Sequence, residues 1–448
     1  MKPFTFLLIS LLSHGLAWSG KFQHAYEAAL VSDSTFRAAR SELASVLQNV
    51  PLARAALLPN VALSVSDSRV KGNRTIDNPP GKPVTSPLDY RSPVQSLSLR
   101  TPIFHREASK KYELAQAQVS YAEAVLATHH VDLVDRLADA YLQRWSAEYA
   151  LRAARTQVEA SQAQSDLARR RFQLGEGTLT NVSEADTALE MARVLLTEAQ
   201  NKLEVATLVL RHITGGGYVP LDFVVDALPA NVLNAQIAQV PTETLSEYIS
   251  KAQTSSPTIA ARKQAVVLAQ LAVVRNGAGH YPRLDVVASV QSSRNDSLST
   301  LNQSVSQRSV GLQLNVPIYS GGYVSASVTQ ALADQDKAEA ELAAEIQRVT
   351  KDVTELYFMV ANTPAKIQAM QQAVTFAKLA LEGAGKGVPT GFTTQADVFA
   401  SQRKLTQSQY NLAQAIHEHM LARVKLFGRT GAAPEKVTTY MDAVLMNY

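Results

Sequence analysis

Polar and apolar residues alternate with a period of two in four short stretches. Val310, Leu312, Leu314 and Val316 are spaced by Ser309, Gly311, Gln313 and Asn315. Leu284, Val286, Ala288 and Val290 alternate with Asp285, Val287, Ser289 and Gln291, Val287 being the apolar exception. Val61, Leu63 and Val65 alternate with Ala62, Ser64 and Ser66, and Leu97 and Leu99 with Ser96, Ser98 and Arg100. Successive strand residues point to opposite faces, so each stretch reads as a strand with one apolar and one polar face. Each has about 9–11 residues, the length a tilted strand needs to cross hydrocarbon. Elsewhere the apolar period is near 3.6. It predicts helices over about Phe22–Leu57 and Glu243–Arg275, and very long helices over about His105–Leu174 and Tyr323–Lys386. Return helices then end at Thr214-Gly215 and Thr430-Gly431, with glycine at the expected C-terminal position. Pro51 and Pro364 are expected to kink or interrupt their helices. The fold class is mainly α with a small β part.

These elements come twice in one order. Pro59 matches Pro282, Pro102 matches Pro317, and Gly175, Leu189, Leu196 and Gly215 match Gly391, Leu405, Leu412 and Gly431. The first copy carries an insert with Pro79, Pro80, Pro83, Pro87 and Pro93, which is expected to be a surface loop. The resulting partition is a leader at 1–19, a first repeat at 20–215, a linker at 216–242, a second repeat at 243–431 and a tail at 432–448. Two short helices end to end equal one long helix, so the expected shape is a rod of about 100 Å with strands at one end and glycine turns at the other. Recurrent alanines, such as Ala331, Ala338 and Ala340, suit close coiled-coil packing against partner helices.

The N-terminus adds a compartment. Lys2, the apolar run Phe4–Leu12 and Ala17-Trp18-Ser19 have the form of a secretory signal peptide cleaved near Ser19. The apolar run is too short to span a bilayer as a helix. Export then favours strands that face lipid. Lipid leaves no unpaired sheet edge, and four strands are too few to close a barrel, so several chains must pool theirs. The competing reading is a periplasmic coiled-coil adaptor or scaffold without a pore, its alternating segments lying in a soluble domain.

Composition narrows the chemistry. The 448 residues include no cysteine, which excludes disulfides, thiolate metal sites and a lipid anchor on cysteine. Lys+Arg total 43 against 39 Asp+Glu, so no basic face for nucleic acid is forced. Gly175-Glu176-Gly177 is no phosphate loop, because no strand precedes it and no Gly-Lys-Ser/Thr follows. His417 and His419 are two apart on a helix and point apart, so they make no metal pair, and His129-His130 read as solvated or as interhelical packing. No catalytic, metal or cofactor site is expected.

The stretch from Arg171 through Leu174-Gly175-Glu176-Gly177 to Val182, and Val316-Pro317-Ile318-Tyr319-Ser320-Gly321-Gly322, carry a resemblance. With the leader and the duplicated helix–strand–strand–long-helix unit, the chain resembles the TolC family of outer-membrane efflux and secretion channels. The resemblance implies a homotrimer whose strands close a twelve-stranded barrel in outer-membrane lipid, with an α-helical coiled-coil tunnel across the periplasm. It further implies a periplasmic adaptor (membrane fusion) protein and an inner-membrane ABC or proton-driven transporter as partners, in drug efflux or type I secretion. The family's adaptor-contacting tips match Leu174, Gly175, Glu176, Thr390 and Gly391. Its acidic gate positions match Asn181, Asp397 and Ala400, of which only Asp397 keeps a carboxylate.

Overall fold

A computed structural model describes residues 21–77, 81–216, 243–295, 303–388 and 390–445. The leader at 1–19 and the linker from 217 to 242 lie outside these residues, as does the end of the tail from 446. The described elements are α1 (Lys21–Ser32), α2 (Ser34–Leu47), α3 (Asn49–Ala55), β1 (Asn60–Ile76), β2 (Val84–His105), α4 (Arg106–Gln173) and α5 (Leu179–Thr214). After the linker come α6 (Leu245–Ser255), α7 (Pro257–Gly277), a 3-10 turn (Ala278–His280), β3 (Arg283–Asn295), β4 (Gln303–Asn315), α8 (Tyr323–Gly387), α9 (Gln395–Arg429) and α10 (Pro434–Leu445). The expected internal duplication is visible in this order.

The chain falls into two units. One takes the described residues up to Ser41, Val125–Ala260 and those from Glu345 on; the other takes Glu42–Ala124 and Ala261–Ala344. The first is helical and holds the main core. Phe22 and Tyr26 of α1, Leu137, Tyr141 and Trp145 of α4, Leu210 of α5, Ile416 and Met420 of α9 and Met441 of α10 are all buried there. Phe22 meets Tyr141 edge to face at 5.5 Å. The C-terminal helix also completes the first one: the Asp442 carboxylate accepts the Phe22 and Gln23 N–H groups at 2.8 and 3.2 Å. These belong to the first turn of α1, whose N–H groups have no partner within the helix. The second unit holds the four strands and the helix ends beside them. Arg262 and Glu341 pair there at 2.7 Å.

Three expectations are corrected. The stretches Phe22–Leu57 and Glu243–Arg275 are not single helices. Asp33 breaks the first by capping α2, its carboxylate accepting the Phe36 N–H at 2.7 Å, and Pro257 starts α7 where a missing N–H costs nothing. Pro364 does not interrupt α8, which runs unbroken over 65 residues. The neighbouring Thr363 hydroxyl donates to the Met359 carbonyl within that turn. Finally, the proline-bearing insert is not a loop throughout: Pro87 and Pro93 lie inside β2, paired with Asn73 and Asp67 of β1. Among the described residues the β2–β3 pairing starts only at Val94, so both prolines sit where β2 pairs on one side and no N–H is demanded on the other.

Candidate functional site: the sheet wall and the glycine turns

The four strands form one antiparallel sheet in the order β1-β2-β3-β4. Its register sorts side chains into two faces. On one face the rungs are Val61–Leu99–Ala288–Val310, Leu63–Leu97–Val290–Arg308, Thr101–Val286–Leu312 and Leu284–Leu314. This face is bare: Val310 is 81% exposed and Leu63 72%. On the other face the rungs include Ala62–Ser98–Ser289–Ser309 and Ser64–Ser96–Gln291–Gln307, with Ser289 and Ser309 hydrogen-bonded at 2.8 Å. A contiguous bare apolar surface of this kind marks contact with lipid or protein. An amphipathic sheet packed on a soluble core would have covered it.

The strands are longer than expected, with 17 and 22 residues in β1 and β2 and 13 in each of β3 and β4. The β1–β2 ladder continues past the apolar rungs into charged ones. Arg69 pairs with Asp89 at 2.8 Å and Arg91 with Asp67 at 2.9 Å. These charges hide the strand from a hydrophobicity reading, although the backbone ladder is unbroken. At the helical end of the sheet, Ile318, Tyr319 and Tyr323 are exposed, and Phe104 and Tyr281 partly so. Aromatic side chains of this kind concentrate at membrane–water interfaces. Among the described residues β1 and β4 each have one unpaired edge. No described helix is long and apolar enough to cross a membrane.

The glycine turns lie in the helical unit. In the α4–α5 turn Gly175 has φ 77° and the Glu176 N–H donates to the Arg171 carbonyl at 2.9 Å. In the α8–α9 turn Gly391 has φ 76°. That left-handed conformation costs other residues about 1–2 kcal/mol. Leu174 is 74% exposed, and Phe392, missed in the sequence, is 89% exposed. The structure therefore places Leu174, Gly175 and Glu176 in one turn, and Thr390 and Gly391 in the other.

Asn181 and Asp397 occupy equivalent third positions in α5 and α9. The Asn181 N–H donates to the Thr178 hydroxyl at 3.2 Å, and the Asp397 N–H to the Thr394 hydroxyl at 3.2 Å. Asp397 completes a capping box, its Oδ2 accepting the Thr394 N–H at 2.8 Å and the Thr394 hydroxyl at 2.7 Å. These bonds, the backbone one first, hold its carboxyl below the usual carboxylate range. The Thr-x-x-Asp spacing was the available signal for this local role. His130 stacks on Tyr26 at 5.8 Å between ring centres, in line with packing between helices, and His417 bonds Asp139 at 3.1 Å.

Comparisons with known proteins agree with this architecture. A family model described as outer membrane efflux protein matches residues 25–216 and 248–432. The protease secretion protein PrtF of Dickeya chrysanthemi is 29% identical over 92% of this chain and 90% of its own length. The alkaline protease secretion protein AprF of Pseudomonas aeruginosa is 28% identical, covering 92% of this chain and 84% of that one. The solved CmeC outer membrane channel of Campylobacter jejuni shares the fold, with a TM-score of 0.75 at 15% identity over 92% of this chain and 85% of that chain.

Proposed function

The chain belongs to the outer membrane efflux protein family, and on that premise we propose that it is the outer-membrane exit duct of a tripartite export system. It acts as a passive trimeric channel-tunnel. The observation that carries this reading is the sheet with a bare apolar face, a polar face and, among the described residues, two unpaired edges. Three copies join β4 of one to β1 of the next, which removes every edge and turns the Ser/Gln face inward. The apolar rungs then meet lipid. The leader is removed near Ser19 during export. A periplasmic adaptor docks on the turns at Leu174–Glu176 and Thr390–Gly391, and an ABC or proton-driven transporter supplies the energy. The two relatives named for protease secretion support polypeptide cargo.

The test is expression of the full chain followed by fractionation. The expected result is outer-membrane recovery and a trimer band that collapses to monomer only on boiling. A monomer that stays soluble without detergent overturns the reading. Cargo is tested by protease-halo rescue in a secretion strain lacking its duct.

Asp397 is further proposed as a gate residue. Both bonds to its carboxylate end on Oδ2, and three symmetry-related Oδ1 atoms form a ring that attracts cations. Asp397→Ala is expected to weaken cation block of the pore in bilayers, at a cost of about 1 kcal/mol in helix capping. Unchanged recordings remove the gate role.

A further inference from the structure

The inner face of the sheet has a strong charge bias at its helical end. Among the described strand residues on this face, Asp285 is the one acidic side chain, against Arg74, Arg100 and Arg283. Asp285 is buried, 4% exposed at its side chain, whereas Arg100 and Arg283 are 48% and 39% exposed. The carboxylate holds both cations from beneath: its Oδ2 lies 2.9 Å from Arg283 Nε and 3.5 Å from Arg100 Nε. Arg100 Nη2 donates to Gln313 Oε1 at 2.7 Å, which ties β2 to β4 across β3. A guanidinium carries five N–H donors, so each fork keeps donors that no bond among the described residues engages. Beyond this cluster the serine and glutamine rungs are neutral.

We infer that Arg100 and Arg283 form a carboxylate-binding station at the base of the barrel lumen, which takes acidic segments of polypeptide cargo as they enter the outer-membrane wall. This rests on the trimeric duct reading, which sets six guanidiniums around one lumen. Asp285 is a positioning residue. It fixes the forks while hidden from the passage, so the surface offered to cargo is cationic. Bidentate guanidinium–carboxylate bonds supply the recognition. Their partial exposure to water keeps each bond weak enough to release a moving chain. Among the described strand residues the rungs above carry no charge on this face until Arg74, about 45 Å further along the strand.

The test uses the full-length trimer in planar bilayers, with a short oligo-aspartate added on the barrel side and oligo-lysine as control. Oligo-aspartate is expected to interrupt the current at micromolar concentration, less so as salt rises, while oligo-lysine does not. The double variant Arg100→Gln/Arg283→Gln, checked for boil-sensitive trimer, is expected to shorten the interruptions about tenfold or more. Arg100→Lys/Arg283→Lys is expected to keep part of the effect, having charge without the fork. A conducting pore that oligo-aspartate leaves undisturbed overturns the inference with no variant needed, as do interruptions unchanged in the glutamine variant. Absence of any pore overturns the duct reading instead.

Discussion

Gly431→Ala is expected to destabilise the fold by about 4 kcal/mol, whereas Gly391→Ala costs about 1–2 kcal/mol. Both glycines have left-handed backbone, with φ 68° and 76°. They differ in what surrounds them. A Cβ on Gly431 lands 2.3 Å from the Ser255 carbonyl oxygen at the end of α6, a backbone atom that cannot swing aside; a Cβ on Gly391 meets nothing within 4 Å among the described residues. The first repeat has a corresponding close approach to a side chain, because a Cβ on Gly215 falls 2.4 Å from Ser32 Cβ at the end of α1. In each copy the return helix therefore ends pressed against the helix that opens the repeat. Thermal midpoints of the two purified variants check the ranking; equal midpoints refute the close approach.

Two buried groups are expected to oppose one another on the pH axis. Burial raises the Asp135 carboxyl from 3.8 to about 6; Arg429 and Lys425 act against the rise and Asp132 adds to it. The folded state thus holds a proton between about pH 6 and 3.8 that the unfolded state lacks, and stability rises as pH falls through that window. Burial lowers His419 from 6.5 to about 4, with Arg423 adding to the fall, so this group costs stability as pH falls from 6.5 towards 4. Asp135→Asn is expected to stabilise at pH 7.5 by about 2 kcal/mol and to lose that advantage near pH 4. His419→Leu, at a site where neither ring nitrogen has a hydrogen-bond partner among the described residues, is expected to be harmless at pH 7.5 and to gain about 2–3 kcal/mol over the native chain at pH 4.5. Denaturation midpoints of the two variants at both pH values test this, and parallel pH curves would refute it.

The long helices and the apolar strand cores were legible because their periods differ and persist. The duplication was legible because glycine and proline keep their places when alanine-rich helix faces do not. The upper β1–β2 hairpin was not legible, since Asp67, Arg69 and Lys71 replace the apolar side chains while the backbone ladder continues. Nor was the break at Asp33, where a carboxylate takes the place of a helical partner. Each member of the Arg100–Asp285–Arg283 cluster is plain in the sequence. What could not be read is their adjacency, which needs the β2–β3 register and its bulge between Pro102 and Phe104. The capping role of Asp397 follows from the Thr-x-x-Asp spacing, and its bonds to Thr394 supply it directly.

The raw margins of β1 and β4 also govern how the duct is built. A solitary copy has no resting place in hydrocarbon, because each dangling amide and carbonyl would be stranded from water. Joining and insertion must then be a single event. Its rate should climb steeply with the supply of copies, and any lone intermediate must wait on the aqueous side of the membrane.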